Sequence, residues 1–384
     1  LRAGQRKLSR NDYILVDEAG MAELGDAAVV VAAATKAGAQ VGFVGDARQF
    51  APIGAGSPFE ALGRVLGNSE LGEIRRQRVE WQLQASLAMA QGDIDAGLMA
   101  YAAEGRWTFG RNSGDAMDKL VADWTADLAR LTNSTGEPAS RIVIAQKNED
   151  VHALNERLRQ VLIDTGRLGS EEVTVQTLHR DGRDGEVKDL RLRVGDQLVA
   201  WRTIPQHNLN NSDRITITAV SPIPGKAGDA MLTWRTEKTG IETTAPLSSM
   251  ISPKGPDDPP SLPRIPFLQH AYALTQYASQ GKTVGKSFIY GGVGLDFRAL
   301  YVALTRHRDD AQIYWDRGGI AQNIRDEGDS PTRANVVEYL RREARRMTDK
   351  LNCIDFARDV DAWLKTGDIT AERPAESPVA ARMR

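Results

Sequence analysis

The sequence predicts an α/β fold with a β-rich insert, and three observations carry that expectation. Two short apolar runs, YILV at 13–16 and VGFV at 41–44, end in the charged strings DEAG and GDARQ. Buried parallel strands read this way, with polar chemistry at their carboxyl ends. Between them, residues 22–37 are rich in Ala and Val, suiting a crossover helix buried against a sheet. Thirdly, the βα pattern returns at RIVIA (141–145), breaks into short β runs between about 181 and 262, and resumes with HAYALT, SFIYGG and LYVALTRHRD.

The remaining elements follow in order. FAPIGAGSPFEAL is a loop, with a helix starting near Pro58. Residues 80–103 read as two helices broken near Gly92, and 115–131 as an amphipathic helix. Residues 133–138 form a linker, 141–145 a strand and 149–165 a helix. QLVAW, RITITAV, AMLTWRT and IETTAPL, separated by turns such as PGKAGD and KTG, read as an antiparallel module. Trp201 and Trp234 are expected in its small core. The Pro-rich stretch 253–266 closes the module. From 326 a charged helical tail begins; MTDKLNCIDFARDVDAWL within it reads as a packed helix, and the last residues as disordered.

Composition narrows the function classes. With 41% hydrophobic and 26% charged residues, the 384-residue chain reads as globular, with room for two or three domains. The net charge of -2 gives no bulk attraction to nucleic acid, although local basic patches outweigh totals. The single cysteine, Cys353, leaves no internal disulfide or cysteine-cluster metal site and suits a reducing cytoplasm. There is no apolar run of about eighteen residues, the length a membrane-spanning helix needs. The opening LRAGQRKLSRN lacks a signal-peptide apolar core and is expected to be the tail of an upstream segment.

Asp17 is the first candidate catalytic residue. A carboxylate at a strand end can hold magnesium opposite the β- and γ-phosphates of a nucleotide, and Glu18 beside it can orient or deprotonate water. The bland alternative is a capping pair at a strand–helix turn. In GDARQ, Gln49 can donate its amide to a γ-phosphate. Arg75, Arg76 and Arg78 in ELGEIRRQR, and Arg306 and Arg308 in TRHRD, form the next set; a guanidinium fork suits a transferring phosphoryl group. A Walker A string, GxxxxGK[ST], should precede the Asp-Glu pair, and none is present. GKT at 281–283 does not supply it, because Gln276 stands where its first glycine is required. The chain is therefore expected to begin partway through a nucleotide-binding domain. The polar loop 275–283 reads instead as a nucleic-acid contact, with Ser279, Gln280 and Thr283 to phosphate or sugar and Tyr277 to a base. His152, His179, His207, His270 and His307 show no metal-ligand spacing; His307, between two arginines, reads as part of a polar network.

Together these strings resemble the RecD-like, 5′-to-3′ branch of superfamily 1 DNA helicases, and within it the helicase portion of TraA-type conjugative relaxases. VDEAGM resembles motif II, VGFVGDARQFAPI motif III, and LGEIRRQRVEWQLQASLAMAQGDIDAGLMAYAAEG the motif IV region. HAYALTQYASQGKTV resembles motif V and LYVALTRHRD motif VI. The likeness covers about residues 8–318, and five motifs in order make it specific.

The resemblance implies RecA-like P-loop NTPase helicase domains, the first truncated, with an SH3-like β insert. Its domains would be 1–70 (1A, partial), 71–184 and 264–325 (2A), 185–263 (insert 2B) and 326–384 (helical tail). In 2B the usual Asn-Gly-Asp turn is replaced by Asn211-Ser212-Asp213. Implied cofactors are ATP and Mg²⁺, with Asp17 on the metal. Gln49, Arg76, Gln280, Gly281 and Arg306 would lie on the nucleotide, Arg76 and Arg306 as arginine fingers. Single-stranded DNA and other conjugation proteins are the implied partners. Relaxase and Walker A segments would lie upstream in the intact protein. Two departures stand out: motif I is absent, and Gly285 stands where an acidic residue often follows motif V. This chain alone is therefore expected to be a poor ATPase. The alternatives are a non-catalytic single-stranded-DNA-binding fragment, a RecD-like repair helicase and an inactive structural fragment.

Overall fold

A computed structural model describes residues 7–72, 74–130, 139–179, 186–255, 258–347 and 352. Cys353, the 133–138 linker and the tail from 353 onward lie outside the described residues.

The first unit is small. Strand β1 (Tyr13–Val16) is followed by helix α1 (Leu24–Ala37), strand β2 (Gln40–Phe43) and helix α2 (Pro58–Leu66). β1 and β2 pair in parallel, from Tyr13 opposite Gln40 to Val16 opposite Phe43. Helix α1 departs from the expectation of a buried crossover: only Ala27 and Ala34 are buried. Tyr13 and Leu15 on β1 remain 62% and 60% exposed. The reason is that this sheet has only two strands among the described residues, too few to cover an apolar helix and both sheet faces.

The second unit opens with α3 (Glu80–Ala90) and α4 (Ile94–Ala103). Gly92, at φ 93°, breaks the pair where the sequence marks it, and Asp93 caps α4 by accepting from the Ala96 N–H. Then follow β3 (Trp107–Gly110), α5 (Ser113–Asp127), β4 (Arg141–Ala145) and α6 (Asn148–Asp164). The β-rich middle comprises β5 (Val173–His179), β6 (Glu186–Leu192), β7 (Gln197–Ala200), β8 (Arg214–Pro222), β9 (Ala230–Thr236), β10 (Glu242–Pro246) and β11 (Leu268–His270). The α/β pattern resumes with β12 (Ala273–Thr275), α7 (Gln276–Ser279), β13 (Val284–Gly292), α8 (Phe297–Leu304), β14 (His307–Asp316), α9 (Arg317–Asp326) and α10 (Arg333–Arg345).

Five strands form one parallel sheet in the order β12-β4-β13-β14-β3. Both faces are covered, which explains the nearly continuous apolar strand sequences. Along β4, Ile142 and Ile144 enter a core shared with Met89, Leu98, Leu300 and Leu340. Val143 and Ala145 alternate to the other face, against Leu120, Trp124, Leu154 and Leu158.

The middle strands form a five-stranded antiparallel sheet, β10-β9-β8-β7-β11, and a β5-β6 hairpin. Trp234 is wholly buried in the insert core with Leu198, Ile215, Ile217 and Leu232. Trp201 differs from expectation. It packs in the core of the parallel unit and donates its indole N–H to Gln269 Oε1 at 2.6 Å. The insert also extends past the Pro-rich stretch: β11 returns to its sheet, and three residues after its end β12 already belongs to the parallel sheet. Periodicity cannot divide so short a run between two sheets.

The insert is rooted through buried charge. Arg159 of α6 is 2% exposed, and its Nε and Nη2 donate to Asp196 Oδ1 and Oδ2 at 3.0 and 3.2 Å. Asp196, wholly buried before β7, also accepts from Tyr272 Oη at 2.5 Å and from the Arg193 N–H at 2.6 Å. Arg159 Nη2 further reaches Glu172 at 3.0 Å. A buried ion pair persists only when its hydrogen-bonding capacity is met, as it is here.

Candidate functional site

The site is built from two turns of the first unit and two segments of the second. After β1 the chain turns sharply. Glu18 adopts φ 51° and ψ 37°, a left-handed conformation costing a non-glycine residue about 1 kcal/mol or more. Its N–H donates to Asp17 Oδ1 at 2.9 Å. The turn after β2 presses against it: a Cβ on Gly45 would stand 2.8 Å from the Gly20 nitrogen, and the Ala19 N–H donates to the Val44 carbonyl at 2.8 Å. Glycine at 45 is what lets the DEAG and GDARQ backbones touch. In the second turn Asp46 Oδ1 accepts from the Arg48 N–H at 2.9 Å, and Asp46 Oδ2 from Gln49 Nε2 at 3.4 Å.

The second unit faces these turns. Residues 76–82 lie along 305–309 as a ladder. Arg76 Nη1 donates to the Thr305 carbonyl, Gln77 Nε2 to that of His307 at 3.1 Å, the Arg78 N–H to that of Arg308 at 2.9 Å, and Gln82 Nε2 to that of Asp309 at 3.2 Å. This ladder brings two arginines distant in sequence to one place. Arg306 is 1% exposed; its Nε donates to the Val302 carbonyl at 2.9 Å and its Nη2 to Thr305 Oγ1 at 3.1 Å. Burial, and then the charge of Arg76, pull its pKa down to about 10. Burial likewise lowers Arg76, with Tyr301 and Glu18 acting against it. Neither guanidinium forms an ion pair with a carboxylate among the described residues. A buried and a half-buried cation side by side suit a polyanion.

Glu18 Oε2 accepts from Gln280 Nε2 at 3.3 Å, and a Cβ on Gly281 would lie 3.8 Å from Glu18 Oε1. The Glu18 charge also acts on Arg76 and Arg306, so Glu18, Arg76, Gln280, Gly281 and Arg306 lie in one neighbourhood where the two units face each other. Asp17 is exposed beside Glu18, and Gln49 lies on the neighbouring turn. A carboxylate, a carboxamide and two guanidiniums in one neighbourhood are chemistry that suits a phosphate-bearing ligand with its cation. No group of three or more His, Cys, Asp or Glu residues suited to a metal occurs among the described residues.

The expected DNA contacts are placed otherwise than a free loop would place them. Ser279 is wholly buried and donates its hydroxyl to the Gln276 carbonyl at 2.7 Å, because α7 is a tight four-residue turn capped by Thr275. Tyr277 stacks on Phe50 with ring centroids 4.3 Å apart and donates its hydroxyl to the Ala51 carbonyl. Thr283 is half-buried beside Lys282 just before β13.

Sequence reading missed Arg298 and Tyr301. Both lie in α8, all eight residues of which are buried. Arg298 donates to the Ala47 and Gln49 carbonyls at 2.6 and 2.5 Å, and Tyr301 to Asp46 Oδ2 at 2.8 Å. The available signal was an arginine inside the apolar run FRALYVAL, where a charge is rare without partners.

His307 belongs to a polar network, as expected. It is wholly buried with Nε2 3.1 Å from Tyr101 Oη. Burial, then Arg76, depress its pKa from 6.5 to about 3. Below pH 6.5 the unfolded chain takes up a proton that the folded chain refuses. Stability should therefore be complete above that pH and fall by about 1.4 kcal/mol per unit below it from this group alone. His207 and His270, also lowered by burial, act in the same direction. Urea midpoints compared at neutral and acidic pH check this: the acid loss should be smaller in His307→Gln than in the wild type.

A family model described as an AAA domain matches residues 2–112. The chain is 30% identical over 316 residues to the conjugal transfer protein TraA of Rhizobium radiobacter, covering 82% of this chain and 25% of that protein. It is 30% identical over 320 residues to a probable conjugal transfer protein TraA of Sinorhizobium fredii, with coverages of 83% and 26%. The chain thus spans about a quarter of the length of these curated relatives. Among solved structures, it is similar to a Bacteroides Pif1 helicase in complex with ADP-AlF3 and ssDNA at TM-score 0.47 and 16% identity, covering 96% of this chain and 78% of that one. A Candida albicans Pif1 helicase matches at TM-score 0.45 and 15% identity, covering 86% and 76%. Over its matched residues the chain is TraA-like, with an AAA-type segment at its start. No helix among the described residues is long and apolar enough to cross a membrane.

Proposed function

We propose that this chain is the motor part of an ATP-dependent, 5′-to-3′ single-stranded DNA translocase or helicase that acts in conjugative DNA transfer. One observation carries the reading: Arg76 and Arg306 of one α/β unit stand together, near enough to Glu18 of the other for its charge to act on both, and neither is ion-paired to a carboxylate among the described residues. Bound there, ATP with its magnesium would supply the phosphoryl group. Asp17 would hold the metal and Glu18 would orient the attacking water. Gln49 would contact the γ-phosphate, and Arg76 and Arg306 would neutralise it. Gln280 ties Glu18 to the 275–283 loop, so the state of the cleft would reach a loop proposed to follow the DNA backbone. A translocase must ignore sequence, so its DNA contacts would be to phosphate and sugar. The TraA-like sequence supports the conjugative setting, and other conjugation proteins would be partners there.

The 384 residues contain no GxxxxGK[ST] string, so the cradle for the inner phosphates would come from another polypeptide segment. This favours a second reading for the chain by itself, namely single-stranded DNA binding without turnover. ATP hydrolysis by the 384-residue chain, with and without single-stranded DNA and with Glu18→Gln as control, separates the two. Salt-dependent DNA binding without turnover is expected. Turnover abolished by Glu18→Gln would mean that the inner phosphates are held within this chain. Absence of both DNA binding and nucleotide binding would sink the proposal.

A further inference from the structure

We infer that Arg298 is a positioning residue that sets, from α8, where Gln49 stands relative to Arg306. The inference rests on the nucleotide-hydrolysing reading above and deepens it.

Arg298 is 6% exposed, and its guanidinium leaves its own unit. Nη1 donates to the carbonyls of Ala47 and Gln49, at 2.6 and 2.5 Å, on either side of Arg48. Nη2 lies 3.5 Å from Glu60 Oε1 on α2. One planar fork therefore joins three acceptors of the first unit, a geometry that a lysine's point charge cannot reproduce. One helical turn further along α8, Tyr301 donates to Asp46 Oδ2 at 2.8 Å. The same Asp46 carboxylate accepts from the Arg48 N–H and from the Gln49 side-chain amide. The 46–49 loop is thus braced within itself by Asp46 and to α8 by Arg298 and Tyr301.

The far end of α8 carries the arginines. Arg306 follows the helix and returns its Nε to the Val302 carbonyl, while Arg76 reaches the Thr305 carbonyl. An eight-residue helix is a rod about 12 Å long. With the Gln49 loop latched to its first turn and both guanidiniums attached to its last, sensor and arginines move together or not at all. Separating them would strand a buried guanidinium without its acceptors.

Amide hydrogen exchange on the 384-residue chain tests the latch. In Arg298→Ala, amides of residues 46–50 should exchange at least about tenfold faster, with β13 unchanged. Arg298→Lys should fall between, and Tyr301→Phe, which keeps the ring, should loosen the same loop if Arg298→Ala does not fold. Unchanged exchange at 46–50, or equal loosening of β13, overturns the inference. In a longer polypeptide that joins these residues to a Walker A segment, Arg298→Ala should lower kcat for ATP about tenfold with KM within about twofold. An unchanged kcat overturns the positioning role. Wild-type protein without DNA-stimulated turnover would instead refute the hydrolytic reading, and the exchange result would still decide the latch.

Discussion

Arg306→Ala should reduce DNA-stimulated ATP turnover about a thousandfold in any polypeptide that contains these 384 residues and hydrolyses ATP, close to 4 kcal/mol of transition-state stabilisation. The size follows from where the guanidinium stands. It is buried and permanently charged, its Nε is held by the Val302 carbonyl, and Arg76 is beside it. A preorganised cation in a water-poor cleft acts on developing phosphoryl charge far more strongly than a solvated one. Arg306→Lys keeps the charge but loses the fork, and should recover only part of the rate. Steady-state kinetics checks this, with thermal midpoints measured on the same variants to exclude unfolding. A kcat within a few-fold of wild type in Arg306→Ala would remove Arg306 from the chemistry. Loss of rate in equal measure from Arg76→Ala would favour both guanidiniums acting on one phosphoryl group.

Arg159→Met should destabilise the second unit by about 3–5 kcal/mol, the cost of leaving a buried carboxylate without its cation. Asp196 is wholly buried, and Arg159 meets both of its oxygens. Tyr272 and the Arg193 N–H remain in the variant and offset only part of the loss. Chemical denaturation read by tryptophan fluorescence checks it. Replacing the set together, as in Arg159→Met with Asp196→Leu, should cost much less than the single change, since no buried charge is then stranded. A single-variant loss under about 1 kcal/mol would mean that water reaches Asp196 and that the root of the insert is not dry.

The residues of the candidate site were legible as strings. Asp17, Glu18, Gln49, Arg76, Gln280 and Arg306 stand at strand ends or in loops beside apolar runs, where the pattern marks them. Arg298 and Tyr301 escaped because both fall inside an apolar helix, where periodicity assigns residues to a core and says nothing of a partner in another unit. Tyr277 and Ser279 were read as facing a ligand because they sit in a polar loop. Their actual partners, Phe50, Ala51 and the Gln276 carbonyl, depend on how that loop folds back.

The sequence alone determined the α/β alternation, the break at Gly92, the parallel β1–β2 pair and the β-rich middle, because hydrophobic period, glycine and proline act locally. Only the tertiary structure decided that Trp201 packs with the parallel unit, that residues 268–270 return to the insert sheet, and that α1 remains largely exposed. It alone laid residues 76–82 along 305–309, which brings Arg76 and Arg306 together. These outcomes turn on contacts between segments far apart in the chain. Their free energy depends on which surfaces meet and which polar groups are satisfied when they do, and no local run of residues encodes that.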